Sequence, residues 1–438
     1  MNKISHINTR IMPYIIWTLR ILIGGTLIIS GLTKMIDLWG FMYKIEQYLN
    51  VWGWDISRSI VIITAIGISA IEFVIGILLL TGAYRRSSAW IASSIMAIML
   101  PLSAYIMIAN PVDDCGCFGD FIKISNTATF LKNIFICLGL IYLLFFNHKI
   151  KGIYHTHIHW LIGGISYIYI LSIGLLGYNI QPLIDFRQYK IGSPLVRDIP
   201  INNADNYSFI YEKDGIQKEF NINSLPDSSW TFVDRLDPIH NNSENINDIS
   251  FSVYDEENNE VTAEVISNTN KQILLLIPDI KYADISYAFL TNEMYKYATQ
   301  NDIDFIGVFA TKDHSQIQRW RDITLVQWPS YMAEDTSLKE IARGKIAVVY
   351  INNGIIQWKR TLSSIPSDIF STPQENIIEN LNFNGEDRFK SISFIFVSIL
   401  TLILILNISI LAVKRSFSRK NEKKNVTLQD ENKIEITN

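Results

Sequence analysis

The chain has only three cysteines in 438 residues, Cys115, Cys117 and Cys137. Dithiol chemistry is therefore confined to one short stretch, and the whole of 181–388 is excluded from it. Charge is scarce too. Only 18% of residues are Asp, Glu, Lys or Arg, against about a quarter in an ordinary soluble domain, which excludes a wholly soluble globule. Nor is there a basic surplus. The net charge is −4 and 181–388 alone is acidic by about a dozen charges, so nucleic acid is not a partner. No small-residue cleavage site follows Leu32, so the first apolar run is not read as a cleaved signal peptide.

Apolar sequence is what the chain has in plenty, at 49% hydrophobic. Six stretches reach the roughly 17–23 residues needed to cross a bilayer: 15–35, 60–82, 89–109, 130–146, 160–180 and 392–413. The length exceeds one ordinary core, so several domains are expected. Lys3 and Arg10 precede the first stretch, Arg85 and Arg86 follow the second, and Lys149 and Lys151 follow the fourth. Lys414, Arg415, Arg419, Lys420, Lys423 and Lys424 follow the sixth. If the spans alternate, all these cations share one side, which the positive-inside rule makes cytoplasmic. The expectation is a multi-pass protein of a bacterial inner (cytoplasmic) membrane with both termini inside. The loop 37–59, the Cys115 loop and the segment 181–388 then face the oxidising periplasm, where a cysteine pair persists as a disulfide. The first partner is the lipid bilayer itself.

Cys115-Gly116-Cys117-Phe118-Gly119-Asp120 lies in a short polar loop between the third and fourth spans. Two thiols one residue apart permit a small strained disulfide, chelation of a soft metal, or paired nucleophiles. Gly116 relaxes the torsions that so small a ring demands. Metal is disfavoured: Asp113, Asp114 and Asp120 are hard donors and no histidine is near. The neighbouring carboxylates are expected to raise a thiol pKa. Cys115 and Cys117 are the candidate catalytic residues, and Cys137, two to three turns into the fourth span, is a candidate relay or a packing element. Arg20 and Glu72 are ionisable groups inside spans and are expected to pair, either fixing helix register or lining a proton or electron route. Histidines 155, 157 and 159 are read as facing lipid headgroups. The aromatic segment 37–59 is read as an interfacial belt rather than a quinone or substrate site, so no cofactor is evident. Pro13 is expected in the first turn of a helix and Pro101 inside the third span.

Arg20, Ser30-Gly31-Leu32-Thr33-Lys34, Glu72 and Cys115-Gly116-Cys117-Phe118-Gly119 occur in an order that resembles the DoxX and methylamine-utilisation MauE families of four-helix membrane proteins. The resemblance runs from about residue 20 to 146 and makes Lys34, Gly116, Phe118, Gly119 and Asp120 supporting members of the cysteine motif. It implies a role assisting disulfide formation in a periplasmic protein, beside a thioredoxin-like partner.

Beyond residue 180, short β-prone runs dominate to about 265, with a hairpin signal at Lys213-Asp214-Gly215 and a second strand pair expected over 251–254 and 261–265. From Lys271 the expected order is β, α, β, α, short strand, α, β, β, α. Its elements are strands 273–277, 305–309, 346–351 and 355–359, and helices 285–298, one capped by Ser315, 336–342 and 373–381. With the Asn353-Gly354 hairpin, this order resembles the thioredoxin-like fold, but Pro278-Asp279-Ile280-Lys281-Tyr282-Ala283 stands where a Cys-x-x-Cys belongs. Gly344-Lys345-Ile346 likewise replaces the usual proline.

The expected fold is an α-helical membrane bundle at 11–147, a fifth span at 160–180 and a β-rich extension at 181–270. A thioredoxin-like α/β domain at 271–388, a sixth span at 392–413 and a basic tail at 414–438 follow. The expected function is thiol-disulfide assistance to a periplasmic protein substrate or thiol-disulfide partner through the Cys-Gly-Cys loop. The alternative is an envelope scaffold whose cysteines are a structural staple.

Overall fold

The computed structural model describes residues 2–112, 115–150, 152–196, 208–213, 216–221, 226, 230–236, 251–266, 270–311, 313–370 and 377–436. Asp113, Asp114, Lys151, Asp214, Gly215 and the start of the helix expected over 373–381 lie outside them, as do the side chains of Lys3, Arg10, Lys149 and the cations from Lys414 onward. Six helical segments among the described residues are long and apolar enough to cross a membrane: Ile11–Ile36, Arg58–Thr81, Arg85–Ala109, Asn126–Phe145, Thr156–Asn179 and Ile377–Val413. Ile63, Ile98, Ile108, Phe135 and Phe394 are largely exposed on them, as side chains in contact with lipid are. The chain is a multi-pass membrane protein.

Two compact units are formed, one from Met1–Lys190, Ala342–Val348 and Trp358–Asn438, the other from Ile191–Ile341 and Val349–Gln357. The first holds helices α1 (Asn2–Ile36), α2 (Leu38–Val51), α3 (Arg58–Thr81), α4 (Arg85–Ala109), α5 (Asn126–Phe145) and α6 (His159–Asn179). Pro13 lies inside α1 rather than in its first turn, because the residues ahead of it contain no second proline or glycine and carry the helix back to Asn2. Pro101 lies inside α4 as expected.

α1 and α3 approach closely because small residues face each other. A Cβ on Gly31 would sit 2.5 Å from the Ser69 carbonyl oxygen and 2.6 Å from the Phe73 amide nitrogen, and one on Gly76 would sit 2.8 Å from the Gly24 carbonyl oxygen. Between apolar helices in lipid such contacts supply much of the packing energy. One apolar cluster gathers Ile16, Ile23, Ile75, Ala92, Met96, Ile136 and Leu140 from α1, α3, α4 and α5. A second gathers Met35, Met42, Phe73, Ile170 and Phe396. The segment after α1 is the amphipathic helix α2. Asp37 caps it by accepting from the Gly40 N–H at 2.9 Å, and Trp39 stacks on Tyr178 with ring centres 4.8 Å apart.

In the second unit, β1 (Ser208–Lys213), β2 (Ile216–Asn221) and β3 (Thr231–Leu236) form an antiparallel sheet in the order β2-β1-β3. The pairing of β1 with β2 is the hairpin expected there. β4 (Val253–Tyr254) is a strand, but the partner expected over 261–265 is instead the helical turn α7 (Thr262–Val265). The pairing stops at the antiparallel bridge of Tyr254 with Glu260, where the Val261 N–H donates to the Val253 carbonyl at 2.9 Å, and the Thr262 hydroxyl then accepts from the Val253 N–H at 2.9 Å.

The remaining elements are β5 (Lys271–Ile277), α8 (Ala288–Gln300), β6 (Asp304–Phe309), α9 (His314–Thr324), β7 (Ser330–Ala333), α10 (Asp335–Ile341), β8 (Ala347–Asn352), β9 (Ile355–Thr361), α11 (Ile377–Asn380) and α12 (Gly385–Ile436). The six strands from β4 to β9 make one mixed sheet in the order β4-β7-β6-β5-β8-β9, with β5/β6 and β6/β7 parallel and β4/β7 antiparallel. β5 is buried from Gln272 to Ile277, as a central strand covered on both faces requires. Asp313, not Ser315, caps α9, accepting from the Ser315 N–H at 3.0 Å. Asn353 and Gly354 both take positive φ, 51° and 74°, the pair of torsions that a two-residue hairpin needs.

Candidate functional site

The Cys-Gly-Cys loop connects α4 to α5. Gly116 has φ +67° and Gly119 φ +56°, so the chain turns sharply on either side of Cys117. A Cβ on Gly116 would also meet the Lys44 side chain at 2.7 Å, so a larger residue would have to push that lysine aside as well as take the left-handed φ. The two sulfurs lie 2.9 Å apart as free, partly buried thiols.

Both cysteine carbonyls are fastened from the helices beneath. The Tyr48 hydroxyl donates to the Cys115 carbonyl at 3.1 Å, and Ser30 Oγ lies 2.7 Å from the Cys117 carbonyl oxygen. Ser30 Oγ is also 2.8 Å from Glu72 Oε2. Glu72 in turn accepts from Lys34 Nζ with both oxygens, at 2.9 and 2.8 Å, and both side chains are nearly sealed from solvent. The close approach at Gly31 places these three side chains together: Ser30 precedes it, Lys34 follows within a turn, and Glu72 lies between Ser69 and Phe73 on the facing helix.

The pairing expected between Arg20 and Glu72 does not form. Arg20 donates Nε to the Leu79 carbonyl at 3.0 Å and Nη2 to the Leu80 carbonyl at 2.7 Å, with Trp17 beneath its guanidinium at 4.3 Å. Leu79 lies two turns beyond Glu72, about 10 Å along α3, so the two ionised groups meet different partners at different depths. Cys137 is three turns inside α5 and packs against the apolar cluster that includes Ile136 and Leu140. It is not gathered with the other two thiols in the described contacts.

A second charged group borders the loop. Arg343 donates Nη2 to Asp120 Oδ2 at 2.6 Å and to Asp37 Oδ2 at 2.7 Å, while its Nε holds Asp37 at 3.0 Å. Gly40 makes room, since a Cβ there would lie 2.8 Å from Arg343 Nη2. Gln181 fixes the Arg343 backbone from both sides, donating to its carbonyl at 2.6 Å and accepting from its N–H at 3.0 Å. Further along, Asp185 accepts from Arg187 at 2.7 Å and from Lys359 at 2.5 Å. Three carboxylates thus face three cations.

The electrostatics follow from these contacts. Burial pushes Asp37 up, but the charges of Arg343 and Arg187 and the hydrogen bonds from Arg343 and Gly40 outweigh it and hold the carboxyl below its usual range. Asp185 is likewise held down, by Arg187 and Lys359 against its own burial. Burial brings Lys359 down to about 8, with Asp185 opposing. Of the thiols, Cys115 is pushed up by its hydrogen bond to Cys117 and by burial. Cys117 goes the other way, to about 6, because of its hydrogen bond with Cys115 and because Lys132 and Lys34 favour its thiolate against burial. The rise expected from neighbouring carboxylates is not what moves Cys117: its hydrogen bond with Cys115 leads, Lys132 and Lys34 add to it, and Glu72 opposes, while Asp113 and Asp114 lie outside the described residues.

Lys34 and Asp120 were legible as parts of a motif. Asp37, Tyr48 and Arg343 were not, for each reaches the loop from elsewhere in the chain without a local pattern.

Six apolar helical segments, a polar loop with two touching thiols and a mixed α/β sheet define a membrane protein with a soluble α/β region. Within it, residues 12–146 match the family described as methylamine utilisation protein MauE, so the chain carries a MauE-family membrane domain. Residues 206–239 match a domain of unknown function, DUF8463. The chain is also similar to Protein TlpB of Flavobacterium psychrophilum, 26% identical over 206 residues that cover 44% of this chain and 55% of that protein. The chain thus spans about half the length of this curated relative.

Proposed function

We propose that Cys115 and Cys117 are a redox-active pair that passes a disulfide to a protein substrate on the periplasmic side of a bacterial inner membrane. The observation that carries this reading is the 2.9 Å separation of the two thiols; the lowering of Cys117 to about 6 and the raising of Cys115 by the bond between them are consistent with it. A stable Cys117 thiolate is a good leaving group and makes the reduced pair favourable, which renders the disulfide an oxidant. A substrate thiolate attacks Cys115 Sγ, the bond between Cys115 and Cys117 breaks, and its electron pair leaves on Cys117. The substrate's second thiolate then displaces Cys115. Two electrons end on the pair, Cys115 takes up a proton from water while Cys117 stays a thiolate, and the substrate gains a disulfide. A partner protein's disulfide re-oxidises the pair by the reverse exchange.

The MauE match supports this reading, since the family resemblance implies assistance to disulfide formation. The sheet region is read as a thioredoxin-like module that docks the substrate without exchanging thiols. The run β6-β5-β8-β9 and the Asn353-Gly354 turn support that, and no cysteine follows β5. The test is a trap. Cys117→Ser in the full chain should accumulate a reductant-sensitive mixed disulfide on Cys115, and Cys115→Ser should not. If neither variant traps a partner and the wild-type pair stays oxidised at strongly reducing potentials, the cysteines are a staple and the protein a scaffold.

A further inference from the structure

Every carbonyl of the Cys115-Gly116-Cys117 tripeptide is engaged. That of Cys115 accepts from the Tyr48 hydroxyl at 3.1 Å, that of Gly116 from the Gly119 N–H at 3.2 Å, and that of Cys117 from Ser30 Oγ at 2.7 Å. A peptide group is planar, so fixing a carbonyl fixes the whole unit. Between the outer two, only the backbone torsions of Gly116 and Cys117 remain soft, and Gly116 already holds φ +67°. Ser30 reaches the loop from α1 and Tyr48 from α2. Lys44, one turn ahead of Tyr48 on α2, lies against Gly116, where a Cβ would come within 2.7 Å of its Cγ. Residues four apart share a helix face, so one face of α2 is laid on the Cys-Gly-Cys turn. In the sequence its aromatic residues read only as an interfacial belt. The Tyr48 ring is itself backed by Trp52, with ring centres 6.1 Å apart.

We propose that Tyr48 is a positioning residue for the thiol pair: by holding the Cys115 carbonyl while Ser30 holds that of Cys117, it keeps the reduced loop in the shape in which the two sulfurs touch. The inference rests on the exchange reading for its use and adds the helix that shapes the site. The thiols are free and already 2.9 Å apart with these fastenings in place. A loose loop surrenders its backbone freedom only when the ring closes, whereas a fastened loop has surrendered it beforehand. The effective concentration of one sulfur at the other is then higher, and the disulfide forms more readily. With oxidised glutathione as the acceptor, one sulfur attacks and releases a reduced glutathione. The other sulfur then displaces the second glutathione and closes the ring. One S–S bond forms in the loop and that of glutathione breaks. Two reduced glutathiones leave with the electron pair, one proton coming from Cys115 and one from water. Only ring closure depends on how the loop is held, and that is the step Tyr48 assists.

The test equilibrates the full chain in detergent, with Cys137→Ala so that only the loop pair reports, against mixtures of oxidised and reduced glutathione. Dithiothreitol takes the place of glutathione if the pair stays oxidised. Free thiols are then alkylated and counted by mass. Tyr48→Phe keeps the ring and its contact with Trp52 and removes only the hydroxyl. It should lower the equilibrium constant for disulfide formation by about 3- to 10-fold, the worth of one hydrogen bond. Ser30→Ala should act in the same direction, and the two changes together should lower the constant further. Trp54→Phe, 59% exposed at the outer end of the same aromatic run, should leave it where it is. A constant unchanged in Tyr48→Phe overturns the assignment, whatever happens to the unfolding temperature. So does an equal fall in Trp54→Phe. No protein partner is needed, so the two readings part. A lowered constant without any trapped mixed disulfide sinks the exchange and leaves Tyr48 in its role, and a trapped partner with an unchanged constant does the reverse.

Discussion

Arg343 grips Asp37 with two nitrogens, Nε at 3.0 Å and Nη2 at 2.7 Å from the same carboxylate oxygen, across 306 positions of sequence. The same Nη2 reaches Asp120 in the cysteine loop at 2.6 Å. One guanidinium therefore ties the end of the first span to the loop that carries the thiols. The planar fork of arginine suits that double duty, and lysine has no equivalent.

Arg343→Met should cost about 3–5 kcal/mol, because it strands Asp37 in a buried site. Arg343→Lys should recover only part of this. Asp120→Asn should cost about 1 kcal/mol or less, since the Asp120 side chain is 29% exposed and water substitutes for its partner. Chemical unfolding in detergent gives the ranking. Equal losses for Asp120→Asn and Arg343→Met would contradict it.

Stability should fall in acid. Asp37 and Asp185 are held below their usual range in the folded chain, so the unfolded chain binds protons first as the pH drops. Their contribution is present above about pH 4 and drains away below it, through the depressed folded values. Lys359 has the opposite sign. Its folded value of about 8 lies below that of a free lysine, so the unfolded chain holds the extra proton and this residue adds stability as the pH climbs from about 8 to 10. Unfolding curves at several pH values, with Asp37→Asn and Lys359→Met, separate the two. An acid limb unchanged in Asp37→Asn would refute the assignment.

Gly31→Ala and Gly25→Ala should differ sharply although the two sites are less than two turns apart. The first methyl would press on the Ser69 carbonyl and Phe73, while the second meets nothing within 4 Å. Overpacking of this kind costs about 1–3 kcal/mol. Because Gly31 sets the spacing of Ser30, Lys34 and Glu72, its variant should also alter the equilibrium constant of the thiol pair with glutathione. Gly25→Ala should leave both measurements alone.

Orientation is checked by compartment-sensitive reporters fused at Asn242 and Asn438. With an even number of crossings between the start and the tail, and the cations gathered inside, the two should report opposite sides. Matching signals would rule out the proposed topology.

Much of this was visible in the sequence because the signals are local. Bilayer-length apolar runs, the Asn353-Gly354 turn and the buried run of β5 need only their own residues to be read. Contacts between distant segments do not announce themselves in that way. Glu72 invited a pairing with Arg20 because both are ions inside spans, but the choice of partner depends on depth, and depth is set by how α1 slides along α3 at Gly24, Gly31 and Gly76. Residues 261–265 looked like a strand for their valines and threonine, but the pairing with β4 ends at the bridge of Tyr254 with Glu260 and the chain turns helical from Thr262. Asp313 and Ser315 are both capping residues, and only the backbone decides between them. Arg343 sat in a stretch read merely as the approach to β8. Its importance lies in Asp37, which nothing nearby points to.

The order in which the chain visits its two units has a bearing on inheritance and on engineering. It leaves the helical unit after Lys190, returns for Ala342–Val348, departs again for Val349–Gln357 and comes back at Trp358. No single stretch of gene encodes either unit whole. A recombination event that replaced the α/β region as one cassette would also carry off Arg343, and the recipient helices would inherit Asp37 with its cation gone. Grafts between relatives should therefore succeed only when the donor brings an arginine at that place or the host has already lost the aspartate, a dependency that binds two distant codons into one heritable trait.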